Sequence, residues 1–214
     1  DSKDGKRLVA GINGDVTIPD SVTSIKNYAF SGCSGLTSVT IPDSVTSIGV
    51  WAFDGCSGLT KVSIGNSVAS IGHSAFYGCS KLLTIVIGNG IQAIGTQAFY
   101  NCLKINDVYC YTVKYTKTES DAFTYFYPVY IIYTTLHVPA EAVSQYKSVA
   151  PWSLFKSVVP LTDSDPKPTG INSIKVDEQK GKWYTLDGKQ NETTRKGLNI
   201  VRMNNGKTKK VLVK

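Results

Sequence analysis

Residues 36–58 read LTSVTIPDSVTSIGVWAFDGCSG, and close copies of this stretch precede and follow it. The copies recur every 23 residues, so that several positions form columns of identical residues along the chain. These columns are Ile25, Ile48, Ile71 and Ile94; Ala29, Ala52, Ala75 and Ala98; Phe30, Phe53, Phe76 and Phe99; and Cys33, Cys56, Cys79 and Cys102. A fixed period of this length is typical of a solenoid, in which stacked units share a core that one unit alone cannot bury. The repeat therefore predicts the architecture and directs attention to an exposed face.

Within this unit, Leu36, Val39 and Ile41 have the spacing L-x-x-L-x-L, which is typical of the strand segment of a leucine-rich repeat. Because side chains alternate along a strand, Val39 and Ile41 are predicted to point inward and Thr40 outward. Pro-Asp-Ser at 42–44 then predicts a turn, followed by a second short strand or extended segment at 45–49. The Ala-Phe pair is too short for a normal helix and favours a single helical or 3₁₀ turn.

The pattern I-P-x-S-V-x-S-I-G-x-x-A-F-x-G-C-S-x-L, which is Ile41 to Leu59 here, resembles the BspA-type leucine-rich repeat family of bacterial surface proteins. The resemblance covers roughly residues 8–161. It implies a right-handed, β-rich leucine-rich-repeat solenoid. It also implies a non-catalytic surface or secreted protein that adheres to extracellular-matrix proteins or other cells, but it carries no site residues with it.

The repeat weakens beyond Cys102. We predict regular repeats at about 13–104 and a degenerate repeat with a C-terminal cap at 105–161. Within this part, Ala122-Phe123 is read as an Ala-Phe pair one residue late, and Leu136-His137-Val138-Pro139 as one last strand. A short helix is expected over 140–146. The apolar residues between 152 and 161 are expected to close the stack, since its last rung would otherwise expose the core and an unpaired edge.

Residues 162–170 have the Pro, Gly and charge content of a linker. Residues 171–214 contain 11 Lys and Arg against 4 Asp and Glu, so the net charge of +7 lies in this segment. Strands are predicted at 183–186, 198–201 and 211–213, with hairpin turns at Asp187-Gly188 and Asn205-Gly206. The segment resembles a short C-terminal β module of secreted bacterial proteins, and the interpretations left open are a sorting or anchoring signal and a stabilising cap. Its lysines are read as solubilising strands rather than as binding nucleic acid.

Four periodic cysteines suggest metal ligands at first, but equivalent positions on stacked rungs form a line about 4.8 Å apart. Zinc needs four sulfurs converging on one point. The sequence therefore predicts a ladder of buried free thiols and neither a metal site nor a cofactor. His73 and His137 have no catalytic partner in the sequence, and no P-loop, zinc-protease or dinucleotide motif occurs. The protein is accordingly predicted not to be an enzyme.

Two surfaces are candidates for binding. The outward side of the strands is predicted to carry two columns, of which the candidate residues are Thr40, Lys61, Ser63, Thr84, Val86, Asp107, Tyr109 and Tyr111. For this face, a solvated sheet surface without a binding role is an equally open interpretation. The second surface is a tyrosine-rich cluster at 109–133, for which structural filling is the favoured interpretation, although some of its tyrosines are expected to be exposed. If the strand containing Tyr109 continues, Tyr111, Val113 and Tyr115 lie on the same outward side. If it stops early, the direction of Tyr115 is open.

The sequence favours a binding or adhesion protein that contacts a host or bacterial surface protein or a glycan through an extended face. One alternative is a structural spacer or stalk. Another is a carbohydrate-binding accessory module or enzyme that uses the tyrosines, with Glu119, Asp121 and Asp107 as the available acids. No run of apolar residues long enough for a membrane span occurs. With no signal peptide in the chain, we take it as a mature or trimmed form that is secreted or on the cell surface.

Overall fold

The computed structural model describes residues 13–114, 116–123 and 131–168, together with the backbone of four strands between residues 182 and 213. The chain forms two compact units, Asp1–Asn172 and Ser173–Lys214. Among the described residues there is no helix with the length and apolar character needed to cross a membrane.

Among the described residues, short strands occur in both units, and one α-helix occurs in the first unit. The strands are β1 (Gly14–Thr17), β2 (Leu36–Ile41), β3 (Ser47–Ile48), β4 (Lys61–Ile64), β5 (Ser70–Ile71), β6 (Thr84–Ile87), β7 (Ala93–Ile94), β8 (Asp107–Cys110), β9 (Lys117–Thr118), β10 (Thr135–Val138), β11 (Ser157–Pro160), β12 (Lys182–Tyr184), β13 (Gln190–Asn191), β14 (Gly197–Arg202) and β15 (Thr208–Val213). The α-helix is α1 (Val143–Ser148), and 3₁₀ turns occupy Ile131–Tyr133, Ala140–Ala142 and Trp152–Leu154.

The first unit is built on a seven-stranded sheet in the order β1-β2-β4-β6-β8-β10-β11, and every pairing in it is parallel. Val39 lies opposite Val62, and Val62 lies opposite Ile85, so one repeat advances the chain by one strand. A second parallel sheet, β3-β5-β7-β9, runs alongside. The leucine-rich-repeat solenoid with parallel strands is therefore confirmed.

The alternation predicted for β2 is also observed. Val39 and Ile41 have 1% and 0% of their surface exposed, whereas Thr40 is half-buried. The second extended segment of the unit forms β3. Both predictions follow from the two-residue periodicity of an extended chain.

Phenylalanine rings fill the interior between the two sheets as one continuous stack. The centroids of Phe30, Phe53, Phe76 and Phe99 follow each other at 4.9, 4.9 and 5.1 Å, nearly parallel. Phe123 continues the stack at 5.2 Å, which confirms the displaced Ala-Phe pair. The ring spacing is close to the spacing of strands in a sheet, so the rungs and the rings repeat together.

The segment that contains each Ala-Phe pair forms successive turns of the 3₁₀ type, such as Asp54 N–H to Trp51 O at 3.3 Å and Cys56 N–H to Phe53 O at 3.2 Å. The residue before each alanine adopts a left-handed backbone although it is not glycine: φ is +60° at Tyr28, +56° at Trp51, +51° at Ser74 and +56° at Gln97. Such backbones are uncommon outside glycine. Here the main chain is fixed from the neighbouring rung, since Trp51 N–H donates to His73 O at 3.0 Å.

All five cysteines are buried and form no disulfide, and four of them, Cys33, Cys56, Cys79 and Cys102, are those of the predicted thiol ladder. Three of the thiols donate to a phenylalanine carbonyl of the preceding rung: Cys56 to Phe30, Cys79 to Phe53 and Cys102 to Phe76, at 3.1, 3.3 and 3.1 Å. Burial raises the pKa of Cys56, and a hydrogen bond with Cys102 together with burial raises the pKa of Cys79. The thiols are thus held protonated inside the stack.

The C-terminal end of the solenoid differs from the prediction in one respect. β10 is not the last strand, because β11 pairs with it in parallel from Thr135↔Ser157 to Val138↔Pro160. The expected short helix is present as the 3₁₀ turn Ala140–Ala142 followed by α1. Tyr146 and Trp152 are fully buried, and the Trp152 ring meets Phe123 edge-on at 5.3 Å.

In the second unit, the described strands form an antiparallel sheet in the order β13-β12-β14-β15. The three predicted strands correspond to β12, β14 and β15. The predicted turns at Asp187-Gly188 and Asn205-Gly206 lie outside the described residues.

Candidate binding face

The outward side chains of the seven-stranded sheet form two parallel columns, which we call the outer face. Register places the first column along Asp15, Ser38, Lys61, Thr84, Asp107, Thr135 and Ser157, and the second along Thr17, Thr40, Ser63, Val86, Tyr109, His137 and Val159. The pairing on which the predicted columns depended is therefore present. It now extends over two further strands, which bring His137 beside Tyr109 and Asp107.

The eight predicted binding residues differ in exposure. Lys61 is exposed, and five more are half-buried: Thr40, Thr84, Asp107, Tyr109 and Tyr111. Ser63 and Val86 are instead buried, at 7% and 0%. The apolar core includes Ile85 and Ile87 but not Val86, which lies on the other side of the strand. Neither Ser63 nor Val86 is available to a partner in this structure, and a binding role for the other six stays a prediction.

Three side chains from neighbouring strands form a small polar and aromatic cluster on the outer face. His137 Nε2 lies 3.0 Å from Asp107 Oδ1. The His137 ring stacks on Tyr109 with centroids 4.3 Å apart and planes 19° from parallel. Sequence inspection did not connect these residues, because His137 comes from β10, where the 23-residue period has already been lost. Only the observed register joins them.

Tyr111 marks the end of the strand and has a partner of its own. β8 ends at Cys110, so the strand stops early. Strand alternation therefore no longer requires Val113 to lie on the same side as Tyr109. The Tyr111 hydroxyl donates to the Pro166 carbonyl at 3.1 Å, and Lys167 Nζ lies 5.9 Å from the Tyr111 ring centroid. Residues from the predicted linker therefore reach the outer face.

The electrostatics at this point match the geometry. Burial raises the pKa of Tyr111 to about 12, with the Asp165 carboxylate and Tyr109 adding to the effect. Burial, Asp107 and Asp165 raise the pKa of Tyr109 in the same way. Both phenols consequently stay neutral hydrogen-bond donors at physiological pH.

The tyrosine-rich cluster lies partly within the described residues. Tyr115, Tyr125, Phe126, Tyr127 and Tyr130 lie outside the described residues. Tyr133 is 70% exposed. The prediction that some of these tyrosines are exposed is confirmed for Tyr133.

A second row of aromatic side chains was missed in the sequence. Trp51 meets His73 and Tyr77 at 5.4 Å each, and Tyr77 stacks on Tyr100 at 5.1 Å. All four are half-buried. Tyr77 and Tyr100 directly follow the repeated phenylalanines, a signal that the 23-residue period contained. Because Tyr77 and Tyr100 cover each other's faces, each leaves fewer ring faces free than an isolated tyrosine does.

Nucleophilic chemistry has little support among the described residues. His73 Nε2 lies 3.2 Å from Ser74 Oγ, but Ser74 is 0% exposed, so its hydroxyl is not open to a substrate. Glu119 is exposed, and Asp107 is engaged with His137. In the described part of the chain, no cluster of three or more His, Cys, Asp or Glu suits a metal ion.

Comparison with known proteins agrees with this architecture. Residues 13–128 match the model of the BspA-type leucine-rich repeat region, in 6 copies. A leucine-rich repeat protein of T. pallidum is 29% identical with a TM-score of 0.51, and the match covers 57% of each chain. A leucine-rich cell surface protein of Faecalibacterium prausnitzii A2-165 is 25% identical with a TM-score of 0.46, over 70% of this chain and 32% of that one. The chain thus spans a little over half of the first relative and about a third of the second. No curated protein matches significantly.

Proposed function

Because this chain belongs to the BspA-type leucine-rich repeat family, we propose that it is a non-catalytic binding or adhesion protein, secreted or held at the cell surface, that contacts a host or bacterial surface protein through its outer face. The family is one of leucine-rich repeat proteins, which are typically not enzymes. One solved relative is described as a cell surface protein. The partner is a protein surface or glycan; no nucleic acid is proposed.

The observation that carries this proposal is the chemistry of the outer face. Seven parallel strands present hydroxyl, charged and aromatic side chains in register, without a catalytic cluster among the described residues. An extended, rigid surface of this kind suits many weak contacts with a large partner. Affinity would then rise further if several copies engaged one target together.

The spacer alternative is disfavoured by geometry. Each repeat of 23 residues advances the solenoid by one strand spacing, about 4.8 Å. The same number of residues in an α-helix would span about 34 Å, at roughly 1.5 Å per residue. A chain selected for reach would gain far more length from helices, whereas the solenoid gains surface area.

The carbohydrate alternative is disfavoured by ring geometry. Stacking on a sugar needs a free aromatic face. On the outer face, His137 covers one face of Tyr109, and Lys167 lies over the ring of Tyr111. Tyr133, at 70% exposure, is the described tyrosine best placed to stack on a sugar ring.

The cap of the solenoid and the second unit have separate roles in this proposal. We assign capping to the segment from α1 to β11, since Trp152 and Phe155 meet Phe123 edge-on and Tyr146 packs on Trp152. The basic β-strands of the second unit are assigned to sorting or anchoring. The division into solenoid, linker and basic module remains part of the proposal.

The test is a binding screen of the full chain against immobilised extracellular-matrix proteins and a glycan array, at low and at physiological salt. The face variant is Thr40→Glu with Lys61→Glu, which adds negative charge to two neighbouring strands. The matched control is Lys81→Glu, an equally exposed lysine in the turn before β6. We expect saturable, salt-resistant binding to one target, reduced in the face variant and unchanged in the control.

If binding disappears as the salt concentration rises and is equal in both variants, the contact is made by the basic second unit and not by the outer face. No binding to any target would count against adhesion. Binding to glycans alone, lost on Tyr133→Ala, would establish the carbohydrate alternative.

A further inference from the structure

The segment between the solenoid and the second unit, residues 162–170, has the composition of a free linker, yet Pro166 and Lys167 within it are docked. Residues 162–168 are described, and Pro168 is buried. The contacts to Tyr111 come from two successive residues, Pro166 through its carbonyl and Lys167 through its ammonium. Neither contact follows from the repeat, because the partners are 55 and 56 residues apart and neither separation is a multiple of 23.

The docked segment is also fixed internally. Thr162 N–H donates to Asp165 Oδ2 at 2.6 Å, and Lys167 Nζ donates to Thr162 O at 3.2 Å. The Thr162 and Ser164 hydroxyls lie 3.0 Å apart. These bonds close a turn that delivers Pro166 to Tyr111. A turn held this way loses less entropy on docking than a flexible linker would.

The contacts have the chemistry of proline-peptide recognition. Proline fixes φ and favours an extended backbone in the residue before it, so the Pro-Lys-Pro sequence favours an extended segment, and the carbonyl of Pro166 accepts a hydrogen bond from Tyr111. Aromatic surfaces bind such segments by packing on the proline rings and donating to a carbonyl. Tyr111 supplies the donor, and its ring receives the lysine.

We propose that the outer face at Tyr109 and Tyr111 is a docking site for an extended, proline-containing peptide with an adjacent cation, and that the chain's own Asp165–Pro168 segment occupies this site in cis. The proposal rests on the proposed function of the outer face and names the class of partner that its C-terminal half takes. A partner protein with an exposed Pro-Lys-Pro-like segment would displace the cis segment.

The test compares the full chain with a full-length variant in which residues 163–168 are replaced by Gly-Ser-Gly-Ser-Gly-Ser. The probe is a fluorescent peptide of residues 162–170, TDSDPKPTG, measured by anisotropy. A tethered segment competes at an effective concentration on the order of millimolar. We expect at least about tenfold tighter peptide binding to the variant than to the native chain. Tyr111→Phe in the variant background should weaken binding about fivefold, the worth of one hydrogen bond.

Two controls fix the interpretation. Tyr133→Phe, at an exposed tyrosine away from the segment, should leave the affinity unchanged. A peptide with both prolines changed to alanine should bind at least about fivefold more weakly than the native sequence. Equal binding of all peptides, or none to the variant, would overturn the proposal.

A second measurement needs no peptide. Ultraviolet titration of the phenols should show one tyrosine with a midpoint near 12 in the native chain, and this midpoint should fall toward 10 in the linker variant. An unchanged midpoint would overturn docking in cis. If the screen against host proteins fails while the peptide binds, the proposed function fails and the docking site stands. If a host protein binds but the peptide does not, the docking site alone is withdrawn.

Discussion

The two sides of the same strands differ in how strictly the repeat constrains their residues. The inner column, Val39, Val62, Ile85, Val108, Leu136 and Val158, is entirely aliphatic and at most 6% exposed. The adjacent outer column changes from threonine and serine to valine, tyrosine and histidine. Each inner residue must pack against the rungs above and below it, whereas most described outer residues, with Ser63 and Val86 as exceptions, keep part of their surface exposed. The 23-residue period therefore determines the fold, and the outer positions that depart from this period are the ones specific to this protein.

The largest test of this contrast places one change on each side of β6. Ile85→Ala is expected to lower the free energy of unfolding by about 2–5 kcal/mol, because Ile85 is 0% exposed and a cavity would remain between two rungs. Thr84→Ala, its half-buried neighbour, should change it by about 0.5 kcal/mol or less. Urea unfolding followed by circular dichroism measures both. Equal losses would remove the distinction between the two sides.

The interior constraint should extend to the main chain. At Gly58, an added Cβ would overlap the Ser34 carbonyl oxygen of the preceding rung, which is backbone and cannot move aside freely. Gly58→Ala is expected to destabilise by about 1–3 kcal/mol. The neighbouring Ser57→Ala is the matched control and should be nearly neutral. If Gly58→Ala left the free energy of unfolding unchanged in the same urea titration, neighbouring rungs would be able to move apart with little loss of stability.

As pH rises, ionisation of the buried Cys110 thiol should lower stability before ionisation of Tyr111 on the outer face does. Burial raises the pKa of Cys110 from 9.0 to about 11, so its contribution to stability is complete below pH 9 and is lost as pH rises through 11. Tyr111 follows between pH 10 and about 12. We expect the urea midpoint to fall from pH 9 upward, with a shallower fall in Cys110→Ala. A fall that begins only above pH 10 in the native chain would contradict this order.

The smallest effect is expected on the outer face. His137→Gln removes the pairing with Asp107, in which the side chains are 16% and 37% exposed. Surface pairs of this kind contribute about 0–1 kcal/mol, so thermal melting should shift only slightly. Asp107→Asn serves as the partner control and should give a similarly small shift. A loss above about 2 kcal/mol would show that this cluster stabilises the fold.

Sequence and structure agree where residues repeat. The columns of isoleucine, alanine, phenylalanine and cysteine were sufficient to predict the rungs, the short turns at the Ala-Phe pairs and the buried thiols. β11 was missed as a strand because Ser157–Pro160 keeps the apolar Val158 but lacks the following Ala-Phe-Cys pattern. The pairing of His137 with Asp107 and the docking of Pro166 on Tyr111 depend on strand register and on the path of the chain. Neither can be inferred from individual residues.

The uniform register of the rungs has an evolutionary consequence. Inner positions pair with their equivalents one repeat away, as Val39 does with Val62 and Val62 with Ile85. Loss of one whole copy by recombination would bring Val39 against Ile85, another aliphatic partner, with the same backbone bonds. Gain of one copy would likewise place aliphatic residues opposite each other. The number of rungs can therefore drift between generations while both ends, and the outer face near Tyr109, are inherited intact.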